Sequence, residues 1–476
     1  MTTLFSNKKT NDKGYLLVLV LVFASIFLFI VSSFVGYVVT QNQIINFRFE
    51  QQQATEIAEA GLNYYKWFLA HYPSDFTNGT GLPGPYVEQY KDPEGAFIGE
   101  FSLQVASSTY CGSVASVEVT STAFTYEDPS AVAIVSARYT RPTVAEYSFI
   151  TNAGVWYGAG GSVFGPLHSN QGVRMDAAHN SIIGSGQPDW VCDFSYGCTP
   201  DQTVDGVYTT SGNATPGLFQ FPVSPIDFAG ITLDLADMKI RAQNNGGIYI
   251  PPTSQFGYRV IFNGDGTVDI REVTGTRDYR SYDSTQFWHW GERNVITSDS
   301  LITGGNNVVI NPDSPLLYVE DKVWLEGDID MKVTIAAANL TSSGETNIVI
   351  NDDIQYVPGT NAGLLAIAED DVDINLVIPD DQNLELQGIF IAQNGRYGRN
   401  GYGNNLPNNL LPYRFLGDLN QLGTIVSFER AVVNWTGTSG FTGGGSSFDR
   451  NQVDDPPPLT PQTSDVYDFE DWRQEG

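Results

Sequence analysis

The sequence predicts a mainly β protein that begins with one long α-helix. An uninterrupted apolar segment stands near the amino terminus. Forty-eight glycines and a small charged fraction favour many short strands and turns over long amphipathic helices. Beyond residue 300, short β-branched runs recur with Asp, Asn and Gly between them. At 476 residues the chain exceeds what one hydrophobic core usually holds, so we expect several domains.

The apolar segment covers residues 15–39 and contains no charged side chain. A helix of this length spans the roughly 30 Å hydrocarbon layer of a membrane. Lys8, Lys9 and Lys13 precede it, so the positive-inside tendency places the short amino terminus in the cytoplasm and the rest of the chain outside. A secretory signal peptide would have a shorter apolar region and a small-x-small cleavage site. We therefore expect a single membrane-spanning anchor.

The helix is predicted to continue beyond the membrane, because no proline occurs in residues 41–72. Apolar and small residues recur there at three-and-four spacing and share one helix face. The residues of this face are Ala54, Ile57, Ala58, Gly61, Leu62, Tyr65, Phe68 and Leu69. The sequence therefore predicts one unbroken helix over residues 15–72.

The first seventy residues resemble the type IV pilins and pseudopilins, in which a short basic leader ends in glycine and an apolar helix follows at once. Here Lys13 and Gly14 precede the run YLLVL that starts at Tyr15. The segment ATEIAEAGL at residues 54–62 is similar to one common in minor pilin-like proteins, where small residues let helices pack closely. The resemblance implies that prepilin peptidase cuts after Gly14, that the leader 1–14 is lost, and that the new amine of Tyr15 is open to methylation.

Two positions depart from the pattern of that family. The first residue after the leader is usually Phe, where this chain has Tyr15, and the fifth is usually Glu, where this chain has Leu19. In major pilins the glutamate is thought to pair with the terminal amine of a neighbouring subunit. Its absence resembles the minor subunits placed at a filament tip. A signal anchor that is never processed would show the same apolar run and lysines, and it is the alternative.

Residues 73–147 are predicted to form a small antiparallel sheet. Three alternating runs, 97–105, 114–124 and 131–139, follow a loop rich in glycine and proline. Packing this sheet on the exposed part of the helix buries the apolar faces of both. The resemblance implies that this domain is a pilin-like head.

Residues 148–450 are predicted to form a large β-rich ectodomain. Its short predicted strands are 307–310, 316–319, 323–325, 333–336, 347–350, 364–368, 372–374 and 384–392. Stacked coils of short strands joined by polar turns are what a parallel β-solenoid requires, and a sandwich of two antiparallel sheets is the alternative. Segments 165–170, 323–327 and 386–394 also resemble those of large pilus-associated envelope proteins with β-solenoid bodies. The Pro-rich acidic tail, 451–476, is either disordered or docked on this body.

Two cysteines, Cys192 and Cys198, stand close together in the sequence, and Cys111 is left over. A small loop closed by a disulfide needs only these two residues and an oxidising compartment. A metal site would need His or further Cys nearby. We expect the disulfide, with two free thiols or a metal site as alternatives.

One turn carries the only metal candidate, Asn263, Asp265 and Asp269, which resemble the opening of a calcium loop. Thr274 stands where such a loop has its bidentate acid, and no helices flank the segment. The order Asn-Gly-Asp-Gly between β-branched runs instead predicts a hairpin over residues 258–273. We therefore expect no metal and no cofactor.

No catalytic residue is predicted. Solenoid enzymes that cleave glycans use paired carboxylates, but solvated turn residues are the simpler interpretation of this aspartate-rich stretch. Its members are Asp370, Asp371, Asp373, Asp380 and Asp381. His168 lies beside Ser169 without a nucleophile-elbow motif, and the other histidines are His71, His179 and His289.

Composition and surface residues limit the partners. With a formal net charge of -30 the chain repels phosphate backbones, so we expect no nucleic acid partner. Aromatic residues in segments 287–290 and 397–413 either contact a surface or a sugar, or pack against the body. The partners that remain are other pilin-like subunits, prepilin peptidase, the membrane, and a surface glycan or protein ligand.

These observations favour a structural and adhesive subunit, not an enzyme. It would be a minor, tip-type pilin-like protein, anchored in the membrane and then carried to the cell surface in a filament. A cell-envelope protein that is never assembled and a membrane-anchored glycan-active β-helix enzyme are the two alternatives.

Overall fold

The computed structural model describes residues 13–110, 113–231, 234–283, 287–341, 346–378, 382–464 and 466–475. Strands predominate over helices, and the predicted fold class, mainly β with one long amino-terminal helix, is confirmed. The chain divides into two compact units. The first contains Met1–Ala106, Glu118–Tyr139 and Asp471–Gly476, and the second contains Ser107–Val117 and Thr140–Glu470.

The described helices are few. The α-helices are α1 (Lys13–His71), α2 (Phe228–Ile231), α3 (Leu235–Asn244) and α4 (Arg450–Asp454). Single 3-10 turns occur at Val144–Glu146, Phe194–Tyr196, Pro216–Leu218 and Leu411–Arg414.

The described strands are mostly short. They are β1 (Tyr86–Lys91), β2 (Phe97–Tyr110), β3 (Ser113–Thr125), β4 (Val132–Thr140), β5 (Phe149–Thr151), β6 (Val155–Tyr157), β7 (Ser162–Phe164), β8 (Leu167–Ser169), β9 (Val173–Met175), β10 (Ala178–His179), β11 (Ile183–Ser185), β12 (Asp189–Cys192), β13 (Gln202–Asp205), β14 (Val207–Tyr208), β15 (Phe219–Gln220) and β16 (Ile248–Ile250). The remaining strands are β17 (Tyr258–Asn263), β18 (Thr267–Asp283), β19 (Phe287–Leu301), β20 (Val308–Val309), β21 (Leu316–Val319), β22 (Val323–Ile329), β23 (Lys332–Ala337), β24 (Ile348–Tyr356), β25 (Gly363–Ala368), β26 (Val372–Ile374), β27 (Leu384–Ala392), β28 (Tyr397–Gly398), β29 (Phe415–Ser427), β30 (Asn434–Trp435), β31 (Ser439–Ser447) and β32 (Asp468–Glu475).

The first unit packs the outer half of α1 on a five-stranded sheet. The sheet order is β1-β2-β3-β4-β32, so the last strand of the chain completes a sheet begun near its amino terminus. All eight residues of the predicted helix face are buried, which confirms that prediction. Gly61 allows the close approach, because a Cβ at this position would lie 2.5 Å from Ser121 Oγ and 2.8 Å from the ring of Phe101.

The second unit is built from parallel ladders. One ladder runs β16-β21-β23-β25-β27-β29-β5-β8-β11-β15. Another runs β17-β22-β24-β26-β28, and a third joins β29, β31, β7 and β10. Successive strands thus lie above one another on several faces, which is the stacking of a parallel β-solenoid. All eight strands predicted within residues 307–392 are present, as β20 to β27.

The order of the stack differs from the order of the sequence. The chain builds the ladder from β5 to β15, returns through α3 to the opposite end at β16, and then stacks back until β29 meets β5. At that meeting Ile425 pairs with Phe149 in parallel register. Helix α3 packs Leu235 and Met238 against Leu316 and Tyr318. The two halves of the second unit therefore form one continuous structure.

The interior of the second unit is a column of aliphatic side chains. Ile335 on β23 belongs to this core and is fully buried, whereas Val309 on β20 is 71% exposed. Parallel stacking brings each inward residue over its partner in the next strand, as Ile335 lies beside Ala366. The core therefore depends on the fit of each coil to its neighbours.

Ile335→Ala is expected to lower the free energy of unfolding by about 2–5 kcal/mol, because it leaves a cavity in the column. Val309→Ala, at an exposed site, is expected to change it by less than about 0.5 kcal/mol. Denaturant unfolding of the full chain in detergent micelles measures both. Equal effects of the two substitutions would contradict this packing.

Candidate functional site

Among the described residues, nothing covers the inner half of α1. Every side chain from Tyr15 to Thr40 is exposed, and none of them is charged. Large side chains such as Phe29, at 77% exposure, are uncovered along this stretch. Among the described residues α1 is the one helix long and apolar enough to cross a membrane. Because uncovered apolar surface of this extent is unfavourable in water, lipid or other apolar helices must cover it.

The outer half of the same helix is held firmly by the sheet. Thr125 Oγ1 donates to Glu50 Oε2 at 2.5 Å, just before the first buried position, Ala54. Farther along, the Tyr139 hydroxyl donates to the carbonyl of Leu62 at 2.7 Å. The helix has 59 residues without a break, which gives it a length of about 88 Å. One rigid element thus joins the uncovered apolar surface to the sheet.

The predicted processing residues, Gly14 and Tyr15, lie in the first turn of α1. The side chain of Tyr15 is 74% exposed. Leu19, at the position where the resembling family has Glu, lies one turn farther along the helix. The leader lysines Lys8 and Lys9 lie outside the described residues.

Two of the aspartates considered for glycan cleavage, Asp371 and Asp373, contact a buried arginine. Arg396 donates through its backbone N–H to Asp371 Oδ1 at 2.7 Å, and its Nη2 lies 3.4 Å from Asp373 Oδ1. Asn347 Nδ2 donates to Asp373 Oδ2 at 3.3 Å. Asp373 and Arg396 are each only 6% exposed, so a polysaccharide chain does not reach this pair. Asp370 accepts from Thr346, while Asp380 and Asp381 lie outside the described residues.

Glu292 adds a third carboxylate to the cluster of Asp371, Asp373 and Arg396, and Asn400 links it to the arginine. Asn400 bonds both Arg396 and Glu292, and Glu292 also accepts from the hydroxyls of Tyr279 and Tyr402 at 2.9 and 2.7 Å. These partners come from strands and loops far apart in the sequence. The sequence singled out the two aspartates but contained no local signal for Glu292 or Arg396.

Burial raises the pKa of Asp373 to about 7, and the neighbouring Asp371 carboxylate adds to this shift more than Arg396 offsets it. Burial also raises the pKa of Asp371. An acid whose pKa is higher in the folded than in the unfolded state holds more protons when folded. Its contribution to stability is therefore full below the unfolded-state pKa and is lost as pH rises through the folded-state value.

The stability of the second unit is expected to fall as pH rises from 4 to 7, by at most about 1.4 kcal/mol per pH unit for the Asp373 proton. Asp373→Asn should reduce this dependence because an amide does not titrate. Calorimetric unfolding of the full chain in micelles between pH 4 and 8 measures the effect. Asp265→Asn, in an exposed turn, is the control. An identical pH profile in wild type and Asp373→Asn would show that the buried proton is absent.

The metal candidate forms a hairpin turn, and the hairpin prediction is confirmed: β17 and β18 pair antiparallel with Phe262 opposite Val268. The candidate side chains bond one another and their neighbours. Thr267 Oγ1 donates to Asp265 Oδ1 at 2.6 Å, and the Asn307 backbone donates to Asp269 Oδ1 at 2.7 Å. Asn263 donates to Thr267 at 3.0 Å. In the described part of the chain no group of three or more His, Cys, Asp or Glu could hold a metal ion.

The cysteine loop is closed in the structure, where Cys192 and Cys198 form a disulfide. Arg174 supports the loop by donating from Nη1 to the carbonyl of Tyr196 at 2.7 Å. Arg430 supports it from another side, with its guanidinium 4.5 Å from the ring centre of Tyr196. Cys111 lies outside the described residues.

Of the remaining candidates from the sequence, His168 and Ser169 form hydrogen bonds within the fold, and the two aromatic segments differ in exposure. His168 lies on β8, bonds Asn170 at 2.9 Å, and has its pKa lowered by burial. Ser169 donates instead to the carbonyl of Ala153. Of the aromatic segments, Tyr397 is buried, whereas Trp290 is 68% exposed. The first segment, 287–290, is thus available for surface contact, and the second is partly core.

Comparisons with known proteins add little to this geometry. No protein-family model matches the chain, and no curated protein matches it. Among solved structures it is similar to the competence-associated pilin ComZ from Thermus thermophilus, with 14% identity over 90% of this chain and 97% of that chain. The TM-score is 0.27, which is too low for the likeness to carry an argument.

Proposed function

We propose that this protein is a structural subunit of the type IV pilin-like kind, which assembles through the inner half of α1. The observation that supports this proposal is the uncovered, charge-free apolar surface from Tyr15 to Thr40 on the helix that also anchors the sheet. Side-by-side packing with the apolar helices of other subunits covers such a surface as lipid does. The subunit therefore packs through α1 and displays its second unit, without a catalytic step.

The continuity of α1 favours a subunit over a plain anchor. About 20 apolar residues are enough to cross a membrane, and a simple anchor needs no fixed orientation toward the domain that it carries. Here the helix continues unbroken beyond that length. The sheet packs closely on its Gly61 and donates hydrogen bonds to its Glu50 carboxylate and Leu62 carbonyl. A helix locked in this way places the sheet at a defined position around a helical bundle.

The leader and the departures from the family pattern refine the proposal. Prepilin peptidase removes residues 1–14 on the cytoplasmic side, and the mature chain begins at Tyr15. With Leu19 in place of glutamate, the subunit lacks the carboxylate that pairs with a neighbour's terminal amine, which suits a minor subunit at a filament tip. The second unit is then displayed outside the cell, where the Cys192–Cys198 disulfide persists.

Mass spectrometry of the protein from its native membrane is expected to show a mature terminus at Tyr15. Gly14→Val should retain residues 1–14, because a branched side chain replaces the small residue at the cleavage site. Gly36→Val is the matched control in the same helix, where an added Cβ meets no atom within 4 Å. A wild-type chain that keeps Met1 or Thr2 as its terminus would support the unprocessed anchor instead.

A photo-crosslinking residue at Phe29 is expected to capture another pilin-like subunit in native membranes. The control is the same residue at Phe194, which is 81% exposed against 77% for Phe29 but lies in the second unit. Covalent protein adducts at position 29, resolved by electrophoresis and identified by mass, measure assembly. Adducts with lipid alone would indicate a solitary membrane protein.

A further inference from the structure

The second unit contains a groove that the proposed assembly does not use. It has a volume of about 480 Å³, which is within the range of small-molecule binding sites. One wall is the segment from β6 to β7, and the other comes from the returning chain around β31. These two segments meet where Gly445 pairs with Ser162. The groove therefore lies where the two halves of the second unit join.

Three consecutive glycines line the groove where neighbouring strands stack closely. Gly443, Gly444 and Gly445 follow one another on β31 and pair with Asp418, Leu419 and Asn420 of β29. Gly444 has φ of +108°, and a Cβ there would lie 2.1 Å from the carbonyl oxygen of Leu419. This position accepts only glycine. On the opposite wall a Cβ added to Gly160 meets no atom within 4 Å, so that wall faces open space.

Aromatic residues supply the contact surface. Trp156 and Tyr157 line the groove on consecutive positions. The Trp156 indole is fixed, because its Nε1 donates to Asp176 Oδ2 at 3.1 Å and the Arg174 guanidinium lies 4.5 Å from its ring centre. Fixed aromatic rings have electron-rich faces that attract the C–H groups of a ligand at little entropic cost.

The charge of the groove differs from that of the chain. The chain has 54 acidic and 24 basic residues, yet none of the described residues that line the groove is Asp or Glu. Its one charged side chain is Arg430, which donates from Nη2 to the carbonyl of Ser195 at 2.5 Å. The disulfide loop thus positions this arginine. A guanidinium has five N–H donors in a fork that matches a carboxylate.

We propose that the groove binds an acidic oligosaccharide, with a uronate carboxylate at Arg430 and a sugar ring against Trp156. Charge favours an anionic sugar over a neutral one, because the one charged side chain among the described lining residues is the cationic Arg430. The aromatic walls favour sugar rings over an extended acidic peptide. The inference rests on the proposed function for its use in adhesion, while the binding itself requires no assembly.

The test is calorimetric titration of the full chain, solubilised in a polyoxyethylene detergent that carries no sugar. The probes are tetrasaccharides of mannuronate, guluronate and galacturonate, with neutral mannotetraose as their uncharged counterpart. At least one acidic probe is expected to bind, and mannotetraose should bind at least about tenfold more weakly, as expected for the loss of a charged hydrogen bond.

Variants locate the site. Arg430→Gln should weaken binding of the acidic probe about tenfold, and Gly160→Trp should abolish it by filling the open space. Arg293→Gln, at an arginine 52% exposed outside the groove, is the matched control and should bind like wild type. An unchanged near-ultraviolet circular dichroism spectrum shows that each variant is folded.

Three outcomes would overturn the proposal: no binding of any acidic probe at millimolar concentration, equal binding of mannotetraose, or wild-type affinity in Gly160→Trp. Binding of a glutamate tetrapeptide as tightly as the uronates would assign the groove to acidic peptides and also reject it. None of these outcomes affects the mature terminus or the crosslinks at Phe29, so failure of this inference and failure of the proposed function are separable.

Discussion

Helix α1 is unbroken, yet one half of it is buried on a sheet and the other half is an uncovered apolar surface. The organisation of the first unit follows from that constraint. Its outer half is buried against the sheet through close contacts that a larger residue at Gly61 would prevent. Its inner half presents only uncharged side chains from Tyr15 to Thr40, and no described part of the chain covers them. The free energy of burying that surface is available only to a membrane or to other helices. Lipid, or the assembly proposed above, would supply this cover.

The second unit obeys a different constraint, the pairing of parallel strands. Each strand of a parallel ladder needs a neighbour on both sides, since an open edge exposes backbone donors and acceptors. β29 satisfies one edge with β27 and the other with β5 and β31. The groove lies at the same junction, where three consecutive glycines of β31 let the neighbouring strands stack closely. Architecture and candidate site therefore have the same origin.

Local patterns account for what could be predicted from the sequence. The three-and-four spacing from Ala54 to Leu69 identified the buried face of α1, and β-branched runs located strands such as β21, β26 and β27. Strands of two or three residues, such as β8 and β15, are too short to show a period. The partner of a parallel strand also depends on distant residues, so the pairing of Ile425 with Phe149 had no local signal.

In the candidate sites, too, the sequence indicates single residues but not the distant residues that surround them. Asp371 and Asp373 could be singled out from the sequence, but their burial around Arg396 depends on the fold. The groove could not be predicted, because the sequence alone does not show whether a glycine lies in a turn or within a strand. Gly444 acquires its meaning only from the carbonyl of Leu419 beside it.

The path of the chain through the second unit has a consequence for the export that the proposed function requires. The coils from β5 to β15 are synthesised early, and β5 can pair with β8 at once, yet its other edge has no partner until Ser427 of β29 has emerged. A chain delivered from its amino terminus across a membrane therefore cannot close this body coil by coil during translocation. Its earliest strands must wait, exposed to aggregation, for almost the whole polypeptide to arrive. Rapid translocation would limit this aggregation, and so would a chaperone outside the membrane that covers the unpaired edge of β5.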